Sequence, residues 1–174
     1  MQNEERRQRL VHRLQLAGKP LTGGELAAAF GVTRQVIVQD VAVLRAGGLP
    51  VVATPRGYLW IGGQIAAHRF RDVLAVRHGP DLTRAELMAL VHSGCRVVDV
   101  LVEHPLYGEL RGELQLATPA DVEDFLQRTQ EGKQGLLSSL TGGVHYHTVE
   151  AAQAEAIGRA RECLRELGIL LENP

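Results

Sequence analysis

The chain has 174 residues, of which 45% are hydrophobic and 22% charged, with a net charge of −1 and two cysteines. This composition suits one large or two small globular domains. Two cysteines argue against a disulfide framework and favour a reducing cytoplasm as the compartment. The charged N-terminus lacks the apolar run of a signal peptide, and no stretch approaches the ~20 apolar residues of a membrane span, so we predict no membrane partner.

Charge is unevenly distributed along the chain. The first 64 residues hold eight Lys and Arg against four acids, and the remainder holds 11 against 16. A basic N-terminal third on an acidic body indicates an anionic partner for that third. Ordinary scatter of surface charge is the alternative interpretation.

Three helices are predicted in the basic third. Apolar residues at helical spacing mark a first helix at 4–17. Thr22, with Glu25 three residues later, forms a capping box that begins a second helix. Thr33 caps a third helix, which ends at the paired glycines 47–48.

The second and third helices, joined by a short turn that contains glycine, are typical of a helix-turn-helix unit. The second helix of such a unit enters the major groove with its N-terminal residues at the base edges, where Arg pairs well with guanine and Gln with adenine. The predicted base-reading residues are therefore Thr33, Arg34, Gln35 and Gln39.

A hairpin is predicted directly after this helix. Two short β-rich runs, at 51–53 and 58–61, flank the turn residues 54–57. A hairpin in this place is the wing of a winged helix, and Arg56 at its tip is expected to contact a phosphate or the minor groove. The alternative is a three-helix bundle without a DNA role, in which the same polar side chains are plain surface.

Beyond a junction at 64–67, strands and helices alternate. The predicted spans are 69–78, 83–93, 96–104, 109–116, 119–131 and 144–150, followed by a helix at 151–167 and a last strand at 169–171. The order β-α-β-β-α-β is that of a split βαβ, ferredoxin-like sandwich. We thus predict an α/β chain, with a winged helix-turn-helix domain at 1–63 and an α+β regulatory domain at 64–174.

Histidine placement is the most informative feature of the second domain. Five of the seven histidines lie between His78 and His147. His145 and His147 stand two apart in a predicted strand, which puts both on one face and makes them a ready pair of metal ligands. His78 closes the first strand, and Glu86 lies on the helix after it. Three imidazoles and a carboxylate suit Zn²⁺, Ni²⁺, Fe²⁺ or Mn²⁺.

Each of these residues also has a purely structural interpretation. Glu86 stands three residues after Thr83, so it could complete a capping box. The histidine pair could be the exposed face of an edge strand. Spacing alone does not join His78 and Glu86 to that pair, because only the fold can bring distant segments together.

Four segments resemble the niacin-responsive transcription repressors, which combine a winged helix with a three-histidine domain. They are TRQVIVQDVAVLRAGG, ATPRGY, DVLVEHPLYGELRG and LTGGVHYHT, and the resemblance extends from about Arg6 to Leu171. It implies a cytoplasmic repressor without catalytic residues, in which nicotinic acid is the co-repressor and a homodimer binds the operator DNA of genes for NAD synthesis and niacin uptake. The implied metal ligands are His78, Glu86, His145 and His147.

The resemblance also places His104, the histidine of the EHPLYG segment, in the effector pocket. Nicotinate is a flat aromatic acid, whose site needs a cation for the carboxylate and an apolar or aromatic wall for the ring. Tyr107 and Tyr146 are candidates for the wall, and Arg111 for a bidentate pair with the carboxylate. Ordinary packing of the tyrosines and a plain surface role for Arg111 are the alternatives.

Two other functions would use the same metal ligands. In a metalloregulator, the metal itself is the signal. In a metal-dependent hydrolase, the site would activate water. The sequence places no separate general base near His78 or His145, although Asp99 and Glu103 on the strand at 96–104 are candidates to approach the site.

Overall fold

The computed structural model describes residues 3–62, 70–132 and 135–172. The chain divides into two units, Met1–Ala66 and Ala67–Pro174, and each is described by itself. The predicted junction at 64–67, and with it the boundary between 1–63 and 64–174, lies outside the described residues.

Three helices and a hairpin form the N-terminal unit. They are α1 (Asn3–Ala17), α2 (Gly23–Phe30), α3 (Arg34–Ala46), β1 (Val51–Thr54) and β2 (Gly57–Trp60). The predicted capping box of α2 is confirmed, since the Glu25 N–H donates to the Thr22 hydroxyl and the Thr22 N–H donates to the Glu25 carboxylate. Thr33 caps α3 as predicted. Leu21 forms an isolated bridge with Tyr58, which fixes the hairpin to the segment between α1 and α2.

The helix pair has the geometry of a helix-turn-helix unit. The axes of α2 and α3 differ by 103°, within the range of roughly 90–120° found for such pairs. Among the described residues, no single helix is long and apolar enough to cross a membrane. The only candidate there is this bent pair, and it passes on length and composition alone.

Apolar side chains from all three helices form the core of the N-terminal unit. Its buried members are Leu10, Leu14, Leu21, Leu26, Ala27, Ile37, Val41, Leu44 and Val51. Each buried leucine or isoleucine contributes about 1.5–3 kcal/mol. An ion pair adds to this core, since the Arg6 Nε lies 2.6 Å from Asp40 Oδ2 and links α1 to α3. The hydrogen bond to Asp40 raises the pKa of Arg6, so the positive charge of Arg6 is paired within the N-terminal unit.

A four-stranded sheet with three α-helices forms the C-terminal unit. The elements are β3 (Phe70–Arg77), α4 (Thr83–His92), β4 (Cys95–His104), β5 (Gly108–Leu116), α5 (Pro119–Glu131), β6 (Val144–Ala151) and α6 (Ala154–Glu166), with 3₁₀ turns at Pro80–Leu82 and Leu137–Thr141. The predicted strand at 169–171 is reduced to a single bridge between Val76 and Leu170. The last helix begins later than predicted, because β6 continues to Ala151.

The sheet order is β3-β6-β4-β5, with every neighbouring pair antiparallel. The predicted α+β class and the β-α-β-β-α-β order are confirmed. β3, α4 and β4 form the split βαβ unit, because β6 lies between the two strands. In the ferredoxin arrangement the third strand fills this place, whereas here the fourth strand does.

Strand alternation divides the sheet into two faces. One face packs against the helices, where Val149 and Ala151 of β6 meet Leu87 and Leu90 of α4 and Leu164 of α6. His145 and His147 share the parity of Val149, so they also lie on this face. The core therefore ends, along β6, at two histidines.

Candidate metal centre and candidate DNA-contacting surface

Three imidazoles converge on one buried carboxylate in the C-terminal unit. His78 Nε2 lies 2.7 Å from Glu86 Oε2, and the Nε2 atoms of His145 and His147 each lie 3.3 Å from Glu86 Oε1. All four side chains are buried. The ligand atoms of His78, Glu86 and His145 lie within 4.8 Å of one another, close enough to share one ion.

Each imidazole is oriented by a backbone carbonyl on its other side. The contacts are His78 Nδ1 to Gly79 O at 2.7 Å, His145 Nδ1 to Gly143 O at 2.9 Å and His147 Nδ1 to Asp99 O at 2.7 Å. A carbonyl oxygen only accepts, so each Nδ1 carries the proton. In the neutral ring the Nε2 lone pair then points at the Glu86 carboxylate, which requires a cation or added protons between them.

Without a metal, protons supply the positive charge. Burial disfavours protonation of His78 and His147, but the contact with Glu86 outweighs it and raises the pKa of both imidazoles. Burial likewise tends to raise the pKa of Glu86, yet the charge of His147 and the histidine hydrogen bonds hold that pKa well below its usual value. The centre therefore favours positive charge at the point where the four groups meet.

Local structure explains how the four side chains meet. A turn at Pro80–Leu82 reverses the chain after His78, so that α4 returns over the sheet. The N-cap of α4 is Leu82, and no side chain caps the helix. Glu86 therefore does not complete a capping box with Thr83, and it points to the histidines instead. This reversal, together with the pairing of Val76 with His145, brings His78 and Glu86 to the histidine pair, which spacing in the sequence could not show.

The four predicted effector residues do not meet at the metal centre. His104 Nδ1 accepts the N–H groups of Leu106 and Tyr107 at 3.2 and 3.3 Å, so it organises the β4–β5 turn. Tyr107 is 70% exposed and stacks on His104. Both residues belong to an exposed hairpin, and their part in effector binding stays a prediction.

Tyr146 and Arg111 lie on the opposite face of the sheet from the histidines. Tyr146 stands between His145 and His147 in β6, so alternation turns it away from them. Together with Arg111 it lines a separate cavity of about 260 Å³. Arg111 contacts Asp99 Oδ2 at 3.1 Å. The two residues thus lie away from the histidines, and their part in effector binding stays a prediction.

The candidate bases of a hydrolase are also placed elsewhere. The Asp99 side chain is fully buried, where its Oδ1 accepts the Thr148 N–H at 3.1 Å. Only its backbone carbonyl reaches the centre, through His147. Glu103 lies near the Tyr146 hydroxyl on the opposite face. Neither carboxylate is positioned to activate water at the histidines.

The predicted base-reading residues form one exposed surface at the start of α3. Thr33, Arg34, Gln35 and Gln39 are all exposed, and the Arg34 side chain packs over Gly23 at the start of α2. Exposed polar side chains at this end of the second helix are what major-groove readout requires. Arg56 lies in the hairpin turn as predicted, but it is half-buried, and its N–H donates to Thr54 Oγ1 at 3.2 Å.

Sequence comparisons agree with this architecture. An HTH domain profile matches residues 6–59, and a 3H domain profile matches residues 71–173. The chain is 41% identical over 169 residues to a probable transcription repressor NiaR of Thermotoga maritima, covering 97% of this chain and 95% of the relative. It is 40% identical over 169 residues to the transcription repressor NadR of Bacillus subtilis, covering 97% and 94%.

Proposed function

The chain belongs to the family of transcription repressors that join an HTH domain to a 3H domain, and from this we propose that it is a niacin-responsive repressor of genes for NAD biosynthesis and niacin uptake. The family is one of DNA-binding regulators and not of enzymes. In our proposal, nicotinic acid is the co-repressor, a divalent transition metal is resident in the regulatory domain, and a cytoplasmic homodimer binds the operator.

The main support for a resident metal ion is the arrangement of donor atoms around Glu86. His78, His145 and His147 offer Nε2 lone pairs, while backbone carbonyls hold their Nδ1 protons. Imidazole and carboxylate together suit Zn²⁺, Ni²⁺, Fe²⁺ or Mn²⁺. A bound cation would supply a Lewis-acid site for the carboxylate or the ring nitrogen of nicotinate. The chain's own residues fix the donors and exclude water, since all four are buried.

DNA recognition is assigned to the exposed start of α3. Arg34 pairs with guanine and Gln35 or Gln39 with adenine in the major groove. One module of this size contacts few bases, so two copies are needed for tight specific binding. Nicotinate then favours the dimer geometry that places two recognition helices about one helical turn, ~34 Å, apart.

The test is operator selection with the metal-loaded chain. Random duplexes are enriched in the presence of nicotinate or nicotinamide, and the selected DNA is titrated by fluorescence anisotropy. We expect tight binding with nicotinate, weak binding with nicotinamide, and loss of the difference in His145→Ala. Equal affinity with and without nicotinate, at full metal occupancy, would exclude nicotinate as the co-repressor.

A metalloregulator is the second candidate function. The observation that favours it is that three histidines and Glu86 already supply the four donors of a closed tetrahedral site. In that case, DNA binding follows the free metal concentration without any organic effector. Anisotropy at buffered metal concentrations, with nicotinate absent, distinguishes the two functions.

A further inference from the structure

An open groove lies between α1 and α2 in the N-terminal unit. Its volume is about 620 Å³, within the range of roughly 300–1,000 Å³ found for binding clefts. Apolar side chains form much of its surface, namely Leu16, Ala17, Leu21, Ala29 and Phe30. Leu16 is 73% exposed, so burial of this side chain by a partner is favourable.

Positively charged side chains stand along the α1 side of this α1–α2 groove. Arg9 and Arg13 are four residues apart, and His12 stands between them, so all three project from the same side of the helix. The Arg9 guanidinium lies 5.9 Å from the centre of the Phe30 ring, and it therefore reaches from α1 to the end of α2. No acidic side chain is among the described residues that line the groove. The groove is thus both apolar and positively charged.

The groove is separate from the predicted base-reading residues. Arg34 packs over Gly23 at the start of α2, whereas Phe30 at the end of α2 lines the groove, about 10 Å further along the helix. A phosphate backbone is bound by charged and polar side chains, and it offers no apolar surface to bury the exposed Leu16. The lining therefore favours a protein segment over DNA as the occupant.

The charge of the groove argues against a second copy of the same surface as that occupant. A two-fold contact would place Arg9 and Arg13 of one copy against the same residues of the other, and like charges repel. Glu25 lies within reach of the charge of Arg13, but its carboxylate already accepts the N–H and the hydroxyl of Thr22, each at 2.7 Å. The complementary partner is a negatively charged segment of another protein.

The walls of the groove determine the conformation of that segment. Both walls are helices, so they offer no strand edge to which an extended peptide could add. Leu21 lines the groove between the two helices, and its N–H and carbonyl are both paired with Tyr58. A segment that binds here must satisfy its own backbone groups, which an α-helix does internally.

We infer that the α1–α2 groove is the docking site of an acidic amphipathic helix of another protein. Apolar side chains at the i, i+3, i+4 and i+7 positions of that helix lie on Leu16 and Phe30, and its carboxylates pair with Arg9 and Arg13. The chain holds this partner while α3 reads the operator, because the two surfaces are separate. The inference goes beyond the proposed function and depends on neither the effector nor the metal.

Selection from a displayed peptide library tests this inference. The peptides have about 18 residues, or five helical turns, with Leu at helical spacing and Glu, Lys, Gln or Ser elsewhere. On the metal-loaded full chain we expect Glu to be enriched over Lys. The selected peptide, titrated by fluorescence anisotropy, should bind about tenfold more weakly to Leu16→Glu. Arg13→Gln should cause a smaller loss that disappears at high salt.

The matched control is Gln15→Glu, which adds the same charge at an exposed position of α1 outside the groove lining. This variant should bind the peptide as the wild type does. Equal losses in Leu16→Glu and Gln15→Glu, or selection of Lys as often as Glu, would overturn the inference.

The other occupants of the groove give distinct outcomes. A saturating DNA duplex of random sequence should leave the affinity for the peptide unchanged. Displacement of the peptide by this duplex, or weaker duplex binding in Leu16→Glu, would assign the groove to the DNA-contacting surface instead. A change in the oligomeric state of Leu16→Glu, measured by light scattering, would assign it to a contact between copies and would equally overturn the inference.

Discussion

Gly143 lies so close to His78 that a Cβ atom on residue 143 would overlap the His78 carbonyl oxygen. Its φ of +90° lies in the left-handed region, which favours glycine. The Gly143 carbonyl also accepts hydrogen bonds from the His78 N–H at 3.3 Å and from His145 Nδ1 at 2.9 Å. One residue without a side chain therefore fixes two of the three imidazoles.

Gly143→Ala should disrupt the metal centre. The added methyl group forces His78 away, and the left-handed backbone adds about 1–3 kcal/mol of strain. We expect a lower free energy of unfolding in urea and a weaker metal affinity by calorimetry. The matched control is Gly142→Ala, where φ is +61° but no atom lies within 4 Å of the added carbon. Equal effects on metal affinity would show that the contact with His78 is unimportant.

Local signals in the sequence predicted much of the fold. The helix Pro119–Glu131 has the predicted bounds, and Thr118 caps its first turn. The rule of alternation placed His145 and His147 on one face, and applied to Tyr146 it would also have excluded that residue from the site. Long-range relations could not be predicted this way. The local pattern of Thr83 and Glu86 resembles a capping box, and only the reversal after His78 shows that Glu86 meets the three histidines instead.

The metal-free and metal-loaded proteins should respond oppositely to pH. The pKa values of His78 and His147 are raised by Glu86, after the opposing effect of burial. Their stabilisation is therefore complete below the unfolded pKa of about 6.5 and is lost as pH rises through the folded values. Glu86 adds stability that is complete above its unfolded pKa of about 4.5. This stability is lost as pH falls through the lowered pKa that Glu86 has in the folded protein.

Metal binding reverses the trend, because an imidazole must lose its Nε2 proton to act as a ligand. We expect the Tm difference between metal-loaded and chelator-treated protein to widen between about pH 6 and pH 8. Thermal unfolding at several pH values measures this difference directly. A difference that stays constant over this range would contradict the assignment of these imidazoles as ligands.

Cys95 should be nearly inert in the folded protein. Burial raises the pKa of its thiol from 9.0 to about 11. The thiolate is the reactive form, so at pH 8 its fraction is roughly a hundredfold below that of an ordinary thiol. Iodoacetamide labelling of a Cys163→Ala variant, read by mass spectrometry, should be slow in buffer and fast in denaturant. Rapid labelling without denaturant would show that the strand β4 opens readily.

Arg34 and Arg56 should contribute differently to DNA binding. Arg34 is exposed at the start of α3, so Arg34→Ala should weaken binding to the selected operator by about 1–3 kcal/mol and relax the preference at one base pair. Arg56 lies in the hairpin turn, where a phosphate contact would lower affinity for all sequences alike and reduce the salt dependence. Anisotropy on the operator and on a scrambled duplex, at two salt concentrations, separates the two effects.

Because both residues are arginine, each alanine variant loses one positive charge, and any difference between the variants reflects what each side chain contacts. Equal, sequence-independent losses from both variants would contradict base reading by Arg34 and leave Gln35 and Gln39 to carry the specificity.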